Sequence, residues 1–163
     1  WIYGELRAYS RDCGGCLRVE YDPAVIAVAR AQNQQVNVVN VLAWLPGRDT
    51  TRVVVIGGHY DSCICNINGN DGVADAPGAD DDGSGSSAVI ELARVASKRF
   101  PKGFDATVIF ALYAAEEQGT LGSRHLLHVH RFDERFRKAS LLVLLPVFGG
   151  AETGDGDALD AHR

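Results

Sequence analysis

The stretch VVVIGGHYD, residues 53–61, predicts the fold and carries the first candidate functional residues. Its first six residues, 53–58, are apolar or glycine, a pattern typical of a strand that is buried on both faces of a sheet. His59 and Asp61 follow this run at once. Because sites in open α/β sheets form at the carboxyl ends of strands, the stretch predicts a buried strand that ends at a candidate site.

Other segments along the chain predict an α/β fold around this strand. Apolar and β-branched residues at 36–45, 107–113 and 141–145 predict three more strands. Apolar residues at helical spacing predict helices near 84–99 and 121–129. The alternation of strands and helices indicates a mostly parallel (mixed) sheet flanked by helices.

The segments between these elements carry start and stop signals. Asp22 and Pro23 look like an N-cap and a first-turn proline, and they predict a short helix that ends near Gln32. Residues 62–79 are rich in Gly, Asn, Asp and Pro and predict a long loop, which is usually a functional feature in a compact domain. Two serines are candidate caps for the helix after the loop: Ser84 and Ser86.

Length and composition favour one globular domain over residues 1–163. We expect it to comprise an N-terminal segment (1–35), an α/β core (36–148) and a flexible Gly-, Ala- and Asp-rich tail (149–163). Hydrophobic residues make up 46% of the chain, which excludes disorder as the main state. No apolar run approaches the ~20 residues that a membrane-spanning helix needs. Because the chain has no Met and begins with Trp1, we expect a processed or excised piece.

Charge and cysteine content bear on partners and location. The net charge is −5, and the basic residues form only one cluster, around 131–138, so we expect no nucleic-acid partner. The four cysteines lie in two close pairs, Cys13/Cys16 and Cys63/Cys65. A local Cys13–Cys16 disulfide or structural thiols are favoured over a zinc knuckle formed by both pairs. The even count is consistent with an exported protein, either secreted or periplasmic.

The candidate chemistry lies at the predicted strand ends. His59 and Asp61 are two residues apart and point to the same side of an extended backbone, so the carboxylate can orient the imidazole. Three aspartates, 80–82, precede a predicted helix, and we expect Asp82 to cap that helix rather than bind metal. The adjacent Glu116 and Glu117 can divide metal binding and proton transfer between them. This set of nitrogen and oxygen ligands favours zinc, whereas His125, His128 and His130 are interpreted as surface or packing residues.

Four segments together resemble the co-catalytic di-zinc aminopeptidases of metallopeptidase family twenty-eight, which include bacterial leucyl aminopeptidases. They are NVLAWLPG at 40–47, GGHYDS at 57–62, APGADDDGSG at 76–85 and AEEQGTLGS at 115–123. The resemblance covers about residues 36–130 and implies a zinc-exopeptidase-like three-layer sandwich. It also implies two zinc ions, peptide substrates with a free N-terminus, and a zinc-activated water that attacks the peptide carbonyl.

The resemblance implies a role for each matching residue. His59 corresponds to a ligand of one zinc, with Asp61 as its orienting carboxylate. Asp80 corresponds to the carboxylate that bridges both zincs. Glu116 corresponds to the general base and Glu117 to a ligand of the second zinc.

The sequence departs from the family pattern at two ligand positions. Pro146 stands where the family places an aspartate at the end of the next strand, and His162 is too close to Pro146 to match the family's distal histidine. Tail carboxylates are weak substitutes for the missing aspartate: Glu152, Asp155 and Asp157. Each zinc would then keep two protein ligands, so we expect weak zinc binding and little activity from this chain.

Three interpretations remain open from the sequence. The chain is part of a zinc aminopeptidase, a catalytically inactive binding or structural relative, or a single-zinc relative of the glutaminyl-cyclase type. His59 and the Glu116-Glu117 pair favour the first interpretation, and Pro146 favours the second. Four properties stay open: the side-chain preference, the position of the cleaved bond (amino- or carboxy-terminal, or dipeptide release), the oligomeric state and the pairing of all four cysteines.

Overall fold

The computed structural model describes residues 1–28, 33–63, 65–66, 69–70, 76–130 and 139–144. Three helices and seven strands follow one another in these segments: α1 (Ile2–Asp12), β1 (Arg18–Val28), β2 (Gln34–Leu45), β3 (Asp49–His59), β4 (Cys65–Asn66), β5 (Gly69–Asn70), α2 (Gly85–Arg99), β6 (Ala106–Tyr113), α3 (Leu121–His130) and β7 (Ala139–Leu144). A distorted helical turn, Ala79–Ser84, precedes α2.

Five of the strands form one mixed sheet in the order β1-β2-β6-β3-β7. The β1–β2 and β2–β6 pairs are antiparallel, whereas β3 pairs in parallel with both β6 and β7. Strands β4 and β5 form a separate short antiparallel pair within the predicted long loop. The expected mixed α/β sheet is confirmed, although its antiparallel share is larger than the sequence indicated.

Helices cover both faces of the sheet and make three layers. On one face, Leu6 of α1 and Val89 of α2 pack with Phe110 in a buried cluster. On the other face, Leu126 of α3 packs with Ile109 in a second cluster. Strand β6 is buried along almost its whole length because it contributes alternate side chains to both clusters.

The helix predicted after Asp22 is wrong, because these residues belong to strand β1. The strand pairs with β2 along its full length, with Pro23 opposite Val39. Proline lacks an N–H, and an edge strand such as β1 tolerates that loss. Pairing with the sheet therefore overrides the local capping signal of Asp22 and Pro23. Strand β1, which lies within the expected N-terminal segment 1–35, thus belongs to the same sheet as the core strands. The expected tail, 149–163, lies outside the described residues.

The register of β3 and β6 places the candidate segments side by side. These strands are parallel, and His59 at the end of β3 pairs with Tyr113 at the end of β6. The residues that follow each strand therefore emerge at the same edge of the sheet, as the sequence predicted.

Candidate metal centre

His59 is held at the end of β3 by hydrogen bonds to both its main chain and its ring. Its N–H donates to Asp82 Oδ2 at 3.0 Å, and its carbonyl accepts from Ser86 Oγ. Its ring Nδ1 lies 3.0 Å from the main-chain carbonyl oxygen of Asp61. Because a carbonyl only accepts, Nδ1 carries the proton in this contact and Nε2 is left to face the site.

The carboxylate of Asp61 does not hold the ring in the way the sequence suggested. Asp61 Oδ1 is 3.7 Å from His59 Nδ1, beyond hydrogen-bond distance. The carboxylate accepts instead from two main-chain groups: Oδ1 from the N–H of Glu116 at 3.1 Å and Oδ2 from the N–H of Glu117 at 3.2 Å. The main chain of Asp61 orients the histidine, and its carboxylate anchors the segment that carries the two glutamates.

Asp82 is a buried cap of α2, as predicted, and has an additional contact with β3. Its side chain is 2% exposed, and Oδ1 accepts the N–H of Gly85 at 2.9 Å while Oδ2 accepts from His59. No side-chain cap comes from Ser84, and Ser86 bonds to His59 instead. A Cβ at position 85 would lie 2.1 Å from Asp82 Oδ1, so only glycine permits this close approach.

The three consecutive aspartates have different surroundings. Asp82 is buried, whereas Asp81 is exposed and places Oδ1 3.0 Å from His59 Nε2. Asp80, which the resemblance identified as the bridging ligand, is absent from the group of potential ligand atoms that the described residues form. The structure brings Asp81 to His59 in its place. Asp80 and Asp81 are identical neighbours in sequence, and the backbone of the turn decides which of their carboxylates faces the histidine.

Glu116 and Glu117 lie in a tight turn, residues 114–122, between β6 and α3. The turn begins with Ala115 at a positive φ of 55° and ends where the N–H of Gly122 donates to the carbonyl of Ala114. Both glutamates are half-buried, and Glu117 reaches the histidine side of the turn.

His59, Asp81 and Glu117 each offer a ligand atom, and these atoms lie within 4.8 Å of one another. Burial and the charges of Asp81 and Glu116 raise the pKa of Glu117. Burial opposes the charged form of His59, but the Asp61 carbonyl and nearby carboxylates, Glu116 first among them, give a net increase in its pKa. The centre therefore concentrates negative charge that a cation would offset.

One imidazole nitrogen and two carboxylates form a donor set that suits zinc. They come from three different segments, so the fold rather than local sequence gathers them. The spacing of the three ligand atoms and the repulsion between the Asp81 and Glu117 carboxylates are both consistent with a site for a divalent cation.

The sequence matches peptidase family M28 over residues 40–153. The chain belongs to this family. The resemblance inferred from the four motifs is therefore confirmed, and it includes the residues that form the candidate metal centre.

Relatives of this M28 chain agree with the assignment. A probable zinc metalloprotease of Pyricularia oryzae is 40% identical over 132 residues, which cover 80% of this chain and 25% of that protein. Leucine aminopeptidase 1 of Ajellomyces capsulatus is 35% identical over 126 residues, or 73% of this chain and 31% of that protein. The chain thus spans about a quarter of the length of the first curated relatives it matches.

The fold of the M28 chain also matches a solved structure. It superposes on a leucine aminopeptidase precursor from Bacteroides thetaiotaomicron with a TM-score of 0.66 and 20% identity. The match covers 93% of this chain and 53% of that one. The zinc-exopeptidase-like three-layer architecture is confirmed by this similarity.

The described side chains of this M28 chain include three cysteines. Cys13 and Cys16 form a disulfide, as expected. Cys63 is also disulfide-bonded, and its sulfur lies 3.1 Å from Glu117 Oε2. Cys63 therefore borders the metal centre, which its loop position in the sequence does not indicate.

The α3 histidines are not members of the metal group formed by the described residues. His125 is partly buried, with Nε2 3.4 Å from Asp22 Oδ1, and His128 is exposed, which agrees with their packing and surface interpretation. The side chain of His130 lies outside the described part, as do Pro146, His162 and the tail carboxylates. In the described residues, no helix has the length and apolar character needed to cross a lipid bilayer.

Proposed function

We propose that this chain is the metal-binding part of a zinc-dependent, aminopeptidase-type exopeptidase. The observation that carries the proposal is the convergence of His59, Asp81 and Glu117 at the edge of an M28 fold. Relatives named zinc metalloprotease and leucine aminopeptidase support peptides with a free N-terminus as the substrate class.

His59 Nε2, Asp81 and Glu117 are the proposed metal ligands. Asp81 replaces Asp80 as the proposed bridging carboxylate because Asp81 Oδ1 faces His59 Nε2. Zinc at such a centre supplies a Lewis acid that polarises the peptide carbonyl and lowers the pKa of water. The His59 contact with the Asp61 carbonyl fixes the ring nitrogen that faces the ligand group.

Glu116 is the proposed general base. It adjoins Glu117, and its charge acts on the pKa of both Glu117 and His59, so its carboxylate lies close to the ligand group. In peptide hydrolysis it would take a proton from the attacking water and pass it to the leaving amine. Asp61 would position Glu116 by accepting its main-chain N–H, rather than by proton transfer.

A secreted or periplasmic location is part of the proposal. Cys13 and Cys16 form a disulfide, and Cys63 is disulfide-bonded. Disulfides persist in oxidising compartments and are rare in the cytosol. Thiol labelling of the protein in the exported and cytosolic fractions of cells, with and without reductant, would test this location. We expect the protein in the exported fraction, with thiols that react only after reduction.

The second candidate is an inactive relative that keeps the fold for binding. Pro146 favours it, because proline supplies no ligand atom at a position where the family pattern has aspartate. A glutaminyl-cyclase-type reaction is the third candidate and would require a substrate with N-terminal glutamine.

Hydrolysis of amino-acid anilides, with and without zinc, separates these candidates. We expect little activity from the 163-residue chain, and zinc-dependent release of anilide from a natural form that extends beyond Arg163. Glu116→Gln should lower kcat about a hundredfold or more, whereas Glu91→Gln, on the exposed side of α2, should leave it unchanged. Absence of anilide release from every form with bound zinc would reject the peptidase proposal, and cyclisation of a glutaminyl peptide would favour the third candidate.

A further inference from the structure

Asn40 is a buried polar residue in the otherwise apolar second part of strand β2, Val38–Leu45. Its side chain is 0% exposed and lies on the face of β2 that also carries the buried Val38 and Leu42. A carboxamide withdrawn from water is costly unless its donors and acceptor are paired. The contacts of Asn40 therefore indicate what this position is used for.

The Asn40 carboxamide joins the two ends of the turn that carries the glutamates. Its Oδ1 accepts the N–H of Ala114 at 3.1 Å, and its Nδ2 donates to the carbonyl of Gly122 at 2.9 Å. The second Nδ2 hydrogen is directed to Asp22 Oδ2, also at 2.9 Å. One side chain thus closes the base of turn 114–122 and ties it to strand β1.

The turn has a conformation that benefits from such external support. Ala115 has a φ of 55°, a region that costs non-glycine residues energy. A Cβ at position 122 would lie 2.3 Å from both Asn40 Oδ1 and the Ala114 carbonyl oxygen, so the three groups meet only because residue 122 is glycine. Asp61 holds the tip of the same turn by accepting from Glu116 and Glu117.

We propose that Asn40 is a positioning residue that clamps the base of turn 114–122 and so sets where Glu116 and Glu117 stand relative to His59. A carboxamide suits this role because it accepts at one end and donates at the other. Aspartate at this position would accept from Ala114 but could not donate to Gly122. The consequence for zinc binding rests on the proposed function, whereas the clamp itself does not.

Amide hydrogen exchange of the metal-free chain tests the clamp without reference to activity. In Asn40→Asp, we expect the amides of Gly119, Thr120 and Gly122 to exchange about tenfold faster than in the unsubstituted chain. The exchange rates of the β3 and β6 amides should change little. Val38→Ala is the matched control, since it removes buried atoms from the same face of β2, and the valine side chain has no group that could hydrogen-bond to the turn. Equal acceleration at the turn in both variants would overturn the proposal.

Two further variants separate the clamp from general damage. Adding Asp22→Asn to Asn40→Asp relieves the repulsion between the two carboxylates but leaves the Gly122 carbonyl without its donor. We expect this double variant to recover stability while the turn still exchanges quickly; full recovery of the turn's protection would overturn the proposal. If Asn40→Asp does not fold, Asn40→Ser removes both bridging contacts without adding charge, and the same exchange comparison applies.

Zinc titration by calorimetry then measures the consequence at the metal centre. We expect Asn40→Asp to weaken zinc binding about tenfold, the scale of a residue that supports metal ligands, and Val38→Ala to leave it within twofold. Fast exchange with unchanged zinc affinity would overturn the positioning role. If the unsubstituted chain binds no zinc and a longer natural form cleaves no anilide, the proposed function fails, while the exchange result still decides the clamp.

Discussion

The two turns that bring acids to the metal centre are built in different ways. The aspartate turn, Ala79–Ser84, is held by one of its own charged residues, Asp82, whose carboxylate accepts from His59 and Gly85. The glutamate turn, residues 114–122, is held by side chains from elsewhere: the neutral Asn40 at its base and Asp61 at its tip.

The difference follows from how many carboxylates each turn presents to the centre. In the aspartate turn only Asp81 contributes a ligand atom to the metal centre. The adjacent Asp82 is buried, and its carboxylate is stabilised by hydrogen bonds from main-chain N–H groups. The glutamate turn carries two adjacent acids, and the pKa of Glu117 is already raised by burial and by Asp81 and Glu116. Asp61 at the tip already adds a carboxylate that also raises the pKa of Glu117, whereas the neutral amide of Asn40 holds the base without adding a further charge.

The largest expected effect is the loss of the charged support of the aspartate turn. Asp82→Ala leaves the buried N–H groups of His59 and Gly85 without acceptors and should lower the free energy of unfolding by about 3 kcal/mol. Urea denaturation with chelator present measures this. Asp80→Ala is the control, with an expected change within about 0.5 kcal/mol. Equal losses in the two variants would show that Asp82 has no special structural role.

A second prediction concerns which aspartate binds metal. Asp81→Ala should weaken zinc binding about a hundredfold because it removes a ligand atom 3.0 Å from His59 Nε2. Asp80→Ala should change the affinity less than threefold, since Asp80 is outside the ligand group. Calorimetric titration of both variants decides between them, and the reverse order would restore Asp80 as the ligand.

The sequence predicted the strands of the sheet better than the details of these turns. The run at 53–58 and the strand that ends at Tyr113 were recognisable because burial on both faces needs continuous apolar residues. The choice of Asp81 over Asp80 was not predictable, because it depends on backbone angles within the turn. The sequence does carry a signal for Asn40: a polar residue within the apolar segment Val38–Leu45 is paired when it is buried.

Glycine substitution tests how closely the aspartate turn approaches α2. Gly85→Ala places a Cβ 2.1 Å from Asp82 Oδ1, and the resulting shift should cost about 2 kcal/mol of stability. Gly4→Ala is the matched control within α1, where no atom lies within 4 Å of the new Cβ. It should stabilise the chain by about 0.5 kcal/mol through helix propensity. Thermal unfolding of both variants gives the comparison, and a neutral Gly85→Ala would refute the tight packing of Asp82.

The smallest expected effect measures the charge that the glutamate turn tolerates without metal. The folded state raises the pKa of Glu117 above its ordinary value of 4.5, so the ionised side chain destabilises the fold at any pH above the folded-state pKa. Glu117→Gln should therefore stabilise the chelated chain at pH 7 by about 0.5 kcal/mol, a modest gain because solvent screens a half-buried group.

This gain should disappear as the pH falls below the unfolded-state pKa, since Glu117 is then protonated in both states and carries no charge to remove. Glu91→Gln is the control of opposite sign: Arg94 lowers the pKa of Glu91, so its ionised form stabilises the fold and the substitution should reduce stability at pH 7. Urea denaturation of both variants, repeated at about one-unit pH intervals between roughly pH 3 and pH 8, measures the free energy of unfolding at each pH. A Glu117→Gln gain that persists at the acid end would mean that its origin is packing, and the need for a neutral amide beneath the glutamate turn would lose its electrostatic basis.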